Sequence, residues 1–183
     1  MKCFKRRWVF SGLMAVALVP SGVPAVAQAV PLVPRVDDEN WDRVAAGEMV
    51  FRWRHDRAVL RGNLAAPTAG WLAVGFNDAE RLKGTCFVMA QLSETPACVE
   101  LRRAVVPDHV PVADRRIRAS LAMEAGAFQD GRSTLQFALP HESGATLGVK
   151  LTPGASTYLM LAWSRSTDFD HHSAFREHHR VVL

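Results

Sequence analysis

No stretch of this sequence is long enough to cross a bilayer, which takes about 20 apolar residues of helix. The most apolar run, Trp8 to Val19, has only 12 residues. Catalytic signatures are missing as well. There is no Gly-x-Ser-x-Gly elbow, no HExxH, no phosphate-binding glycine loop and no dinucleotide fingerprint. Glu100 and Glu142 stand alone, and Ser173 beside His172 is sequence adjacency, not a nucleophile and base pair. The sequence therefore carries no self-contained catalytic motif. Net positive charge is also lacking beyond the N-terminus. Four of the 22 basic residues and none of the 18 acidic ones precede Val30, which leaves 18 of each. A nucleic-acid partner needs a basic surface to neutralise phosphates, so that class is excluded. There is no internal repeat, low-complexity tract or internal domain boundary.

What is present begins with an export signature. Lys2, Lys5, Arg6 and Arg7 form a positive segment, the short apolar run follows, and Pro20, Gly22 and Pro24 break it. Ala25-Val26-Ala27 or Ala27-Gln28-Ala29 supplies small residues for cleavage. Residues 1–29 thus read as a signal peptide, and the protein is expected in the periplasm or secreted. Arg6-Arg7 before Trp8 suits either a twin-arginine or an ordinary Sec signal. Cys86 and Cys98 are the cysteines beyond residue 29. In an oxidising compartment they form either one disulfide or two small buried side chains.

The remainder reads as strands bounded by Gly, Pro, Asn, Asp and Ser: Met49 to His55, Ala58 to Leu64, Gly70 to Phe76, Thr85 to Leu92, Ala97 to Val105, Ser133 to Leu139, Thr157 to Ser164 and His179 to Leu183. Ser120 to Ala127 suits a short helix or another strand. Residues 30–45 read as an entry arm, and residues 46–183 as one all-β domain, an antiparallel β sandwich or barrel. Five strands are apolar at most positions instead of every second one. That pattern calls for burial on both faces and hints at a ligand pocket or partner surface outside the main core.

Four of the seven histidines fall in the last 13 residues, around Asp168-Phe169-Asp170-His171-His172 and His178-His179. Imidazole ligates transition metals and haem iron. On a strand, His178 and His179 would point to opposite faces, whereas His171 and His172 precede it in a loop. The tract holds a metal such as copper or zinc through His171 and His172, or it is a solvated polar turn. It lacks the ligand spacing of a structural zinc site.

Gly70-Trp71-Leu72-Ala73-Val74-Gly75-Phe76-Asn77, then Leu82-Lys83-Gly84-Thr85 and Phe87-Val88-Met89, resembles the central motif of the DOMON family. The family includes the cytochrome domain of cellobiose dehydrogenase and the N-terminal domain of dopamine β-monooxygenase. Pro111-Val112-Ala113-Asp114 and Ala162-Trp163-Ser164, leading into Asp168 to His172 and Arg176, extend the likeness from about Phe51 to Leu183. The resemblance implies a β sandwich holding haem b for electron transfer or sensing, or a haem-free module for a small organic ligand or a partner protein. Its partners would be a small molecule or a redox protein. It also implies an axial His at His171 or His172 and a cavity lined by Trp71, Phe76, Leu82 and Met89. Arg176 would pair with a propionate, or with Asp168 or Asp170 at the surface. The family's axial Met position falls on Leu82, which cannot ligate iron. Met49, Met89, Met160, His55 and Cys86 are the replacements the sequence offers. Trp71 and Trp163 otherwise read as core aromatics, and Gly70 and Gly75 as sites of tight turns or of close strand approach.

Overall fold

The computed structural model describes residues 40–106 and 108–183, so the signal peptide and residues 30–39 of the entry arm lie outside the described residues. The described chain forms strands β1 (Asp42–Ala46), β2 (Met49–Asp56), β3 (Val59–Ala66), β4 (Trp71–Asn77), β5 (Cys86–Gln91), β6 (Cys98–Ala104) and β7 (His109–Pro111). Helix α1 (Arg115–Ser120), β8 (Ala122–Gln129), β9 (Arg132–Pro140), helix α2 (Ser143–Leu147), β10 (Ser156–Trp163) and β11 (Phe175–Val182) complete it. Two antiparallel sheets face each other, one ordered β1-β2-β3-β9-β8 and the other β11-β10-β4-β5-β6-β7. The all-β sandwich expected from the sequence is what the chain forms.

Side-chain periodicity explains the division of labour. In β9 every second residue is buried, the signature of a strand with one face on the core and one in solvent. In β4 and β5 every residue is buried. Leu72, Val74 and Phe76 of β4 join Phe51, Leu64 and Phe137 in the core between the sheets. There Phe51 stacks on Trp53 and Phe137 and meets Phe76 edge-on, with centroids 5.5 to 6.2 Å apart. Trp71 and Ala73 instead point outward, into a second apolar cluster with Phe87, Met89, Met160, Ala162 and Phe169. The six-stranded sheet therefore has an apolar outer face, the second buried face that the strand composition called for.

Several details differ from the sequence reading. Residues 42–45, assigned to the entry arm, are paired with β2 as part of β1. Segment 120–127 resolves into the end of α1 and the strand β8, because Asp130 and Gly131 both take positive φ (51° and 75°) and close a two-residue hairpin onto β9. Strand β11 begins at Phe175, earlier than His179. Cys86 and Cys98 do not bridge each other. Cys86 is a free thiol facing the core, opposite Arg103, while Cys98 lies at the far end of the same ladder, opposite Gln91. Among the described residues, no helix is long and apolar enough to cross a membrane.

Candidate functional site

A half-open hollow lies on the outer face of the six-stranded sheet. Its floor is built by residues of three neighbouring strands: Trp71 and Ala73 of β4, Phe87 and Met89 of β5, Met160 and Ala162 of β10. The register aligns Met89, Ala73 and Ala162 across the sheet, and sets Met160 opposite Gly75. Small side chains at 73 and 162 leave the space that the larger ones border. The hollow measures about 530 Å³, its open mouth included.

Two loops and a hairpin form the walls. Leu82 comes from the loop after β4, which the buried Asn77 organises: its Nδ2 donates to the carbonyls of Arg81 (2.8 Å) and Lys83 (3.2 Å) and to Thr85 Oγ1 (2.9 Å). The loop between β10 and β11 supplies Asp170, His171, His172 and Ser173. Its backbone is tied down twice, by Trp71 Nε1 donating to the His171 carbonyl at 3.1 Å and by Ser164 Oγ donating to the His172 carbonyl at 2.9 Å. Asp108 and His109 close the third side, beside β7.

Of the residues singled out from the sequence, Trp71, Leu82, Met89, His171, His172 and Arg176 come together around this hollow. Phe76 does not. It sits in the inter-sheet core, because positions 71 and 76 have opposite parity on one strand. Among the offered replacements for a thioether ligand, Met160 reaches the hollow, whereas Met49 and Cys86 belong to the core between the sheets. His55 is elsewhere, its Nδ1 2.9 Å from His141 Nε2. His178 and His179 pair with Met160 and Leu159, on opposite faces of the sheet, and neither borders the hollow. Asp170 is paired with Arg102, not with Arg176.

Arg102 and His109 are not among the residues that the sequence singles out. The only sequence signal for His109 was a three-residue strand containing proline, too short to read. Asp108, His109 and Asp170 present ligand atoms within 4.8 Å of one another, and this is the one such cluster among the described residues. It does not suit a metal ion. Arg102 Nε donates to His109 Nδ1 at 2.8 Å and its NH2 group to Asp170 Oδ1 at 2.6 Å, so a guanidinium already supplies the positive charge. Arginine has only donors, hence Nδ1 accepts and the proton of His109 resides on Nε2, which removes that lone pair from ligation.

Burial, and secondly the Arg102 charge, lower the His109 pKa from its usual 6.5, while Asp108 and Asp170 oppose the shift. Burial and His141 likewise lower that of His55, against Asp42. A lowered folded-state value means that the unfolded chain takes up protons first as pH falls. The associated stability is therefore present above pH 6.5 and is lost on acidification through and below it. The urea midpoint is expected to be lower at about pH 5 than at about pH 7.5, with His55→Gln plus His109→Gln flattening the dependence.

The arrangement defines a class by its fold: a two-sheet antiparallel β sandwich with a half-open hollow on the outer face of one sheet. Among solved structures, the chain is similar to the cytochrome b domain of pyranose dehydrogenase from Coprinopsis cinerea, with TM-score 0.58 and 9% identity over 78% of this chain and 81% of that one. The cytochrome domain of Myriococcum thermophilum cellobiose dehydrogenase also aligns, with TM-score 0.48 and 12% identity over 72% of this chain and 70% of that one. No protein-family model and no curated protein matches the chain. At such identities the likeness is one of fold.

The donor types around the hollow fit haem iron: imidazoles at His171 and His172, thioethers at Met89 and Met160, and an apolar floor.

Proposed function

We propose that this chain is an exported haem b-binding module for electron transfer or sensing. The observation that carries the reading is the convergence of His171 and His172 with Met89 and Met160 on one cavity with an apolar floor. The fold is shared with a protein described as a cytochrome b domain, which supports it. His171 or His172 would give the strong axial ligand, and Met89 or Met160 the softer one that takes over from Leu82. Trp71 and Phe87 would pack the macrocycle, and Arg176 at the mouth would meet a propionate. Bound haem supplies one-electron chemistry, and the protein tunes it through the axial ligands and burial. The residues at the N-terminus support export.

A second reading is favoured by leucine at position 82 and by the polar rim above an apolar floor: a haem-free module for a small organic ligand with an apolar body and a polar end. The absorption spectrum of the mature protein, oxidised and dithionite-reduced after expression with ample haem, separates the two. A Soret band with sharp α and β bands on reduction is expected. A broad high-spin spectrum would mean ligation by histidine alone, and a sensing role. No chromophore, even after haem titration, would remove the haem reading in favour of the second.

A further inference from the structure

Arg102 does not border the cavity, yet it holds both sides of its mouth. Its side chain is 9% exposed, and the guanidinium lies 5.7 Å from the centre of the Phe169 ring. Besides the bond to His109 Nδ1, it donates to the His109 carbonyl at 3.0 Å, to Glu100 Oε2 at 3.3 Å and to Asp170 Oδ1 at 2.6 Å. Such a fork is specific to arginine, whose planar group holds several acceptors in fixed directions. With Nδ1 taken, the one polar atom of His109 left for the cavity is the Nε2–H donor. Burial, which lowers the His109 pKa, acts in the same direction.

The other arm of the fork reaches the loop that bears His171 and His172. Asp170 has a side chain 69% exposed, yet it bends to a buried guanidinium. The charge of Arg102 is buried, so losing a carboxylate partner is costly on the Arg102 side, unlike an ion pair between two solvated groups. The remaining ties of this loop are hydrogen bonds through its own backbone, including Asp170 N–H to Asp168 Oδ1 at 3.1 Å. The Arg102–Asp170 contact is therefore a polar side-chain tie between the loop and the opposite rim, beside the packing of Phe169 against the same guanidinium.

We propose that Arg102 is the positioning residue of this cavity: it fixes His109 as an N–H donor on one rim and, through Asp170, draws the loop bearing His171 and His172 down on the other. A ligand carrying a hydrogen-bond acceptor such as a carboxylate then enters when the Arg102–Asp170 contact opens. The inference rests on the reading of the hollow as a ligand site.

The test begins on the ligand-free protein, where haem binding plays no part. In Asp170→Asn, backbone amides of residues 168–173 should exchange with solvent several-fold faster than in the wild type, with β4 and β5 unchanged. Arg102→Lys, which keeps the charge but loses the fork, should show the same. Long-range ¹H–¹⁵N NMR should find His109 as the single Nε2–H tautomer in the wild type and in Asp170→Asn, but a tautomer mixture in Arg102→Lys. Unchanged loop exchange in both variants, or an Nδ1–H tautomer in the wild type, overturns the proposal. Stopped-flow uptake of haem b should be several-fold faster in Asp170→Asn with the same final spectrum, and equal rates overturn the gating step. If the wild type binds no haem, the functional reading fails alone, and the exchange and NMR results still decide the role of Arg102.

Discussion

Gly70→Ala is expected to destabilise the domain by about 3 kcal/mol and to disturb the cavity at the same time. A Cβ at position 70 would stand 2.1 Å from the Ser164 carbonyl oxygen, 2.6 Å from the Arg165 carbonyl carbon and 2.7 Å from the Ser166 carbonyl oxygen. All three are main-chain atoms, so no side-chain rotation relieves the clash. The two segments are also stitched together. Trp71 N–H donates to the Ser166 carbonyl and Ser164 N–H to the Trp71 carbonyl, both at 2.9 Å, while Thr68 Oγ1 donates to the Ser164 carbonyl. Moving Ser164 also moves the hydroxyl that holds the His172 carbonyl. Gly84→Ala is the informative contrast. Nothing lies within 4 Å of its Cβ position, and its φ of +86° makes the cost purely conformational, about 1 kcal/mol. Urea denaturation gives both values. A Gly70→Ala cost no larger than that of Gly84→Ala would show that the segment 164–166 yields easily, and that the loop above the cavity is not held by it.

The close approach at Gly70, the sandwich and the double burial of β4 and β5 are legible because each leaves a mark on composition: a glycine before an apolar strand, short β-rich runs, and strands apolar at every position but the last. That same scarcity of polar positions hides the orientation. When every residue of β4 is buried, nothing in the run Trp71 to Asn77 says which set faces the core, so the sequence sets Phe76 with the cavity although it lies in the inter-sheet core. Parity alone would have separated it from Trp71, since residues five apart on a strand point to opposite faces. The floor had a faint signal in Ala73, Gly75 and Ala162, small residues whose spacing keeps them on the cavity side of their strands. The mouth had almost none. Arg102 looks like one more charge on a strand, and its partners His109 and Asp170 are 7 and 68 residues away. Only the pairing of β6 with β7 and the descent of the β10–β11 loop bring them together. The β1 strand was hidden for a different reason, since its residues Asp42 to Ala46 are mostly exposed and gain their order from the ladder with β2.

Of His171→Ala and His172→Ala, one is expected to abolish haem binding and the other to be nearly silent. The two residues are adjacent in a loop, and each backbone carbonyl has its own fixed partner, Trp71 Nε1 for one and Ser164 Oγ for the other. With the backbone held at both points, the loop cannot slide to substitute one imidazole for its neighbour. The thioether side should behave differently. Met89 and Met160 enter from two strands of one sheet, β5 and β10, with β4 between them. Met→Leu nearly conserves volume, so each change should cost less than about 1.5 kcal/mol of stability. Replacing the true second ligand should leave haem bound but convert the sharp reduced α band to a broad high-spin form and lower the reduction potential, because thioether ligation favours the reduced iron. The other Met→Leu variant should keep the wild-type spectrum. Reduced spectra and potentiometric titration of the four variants distinguish the cases. If both Met variants match a wild type that is already high-spin, the iron is held by one histidine, and binding of small molecules becomes the function to pursue. Equal, small effects of both His variants would remove the axial-ligand assignment itself.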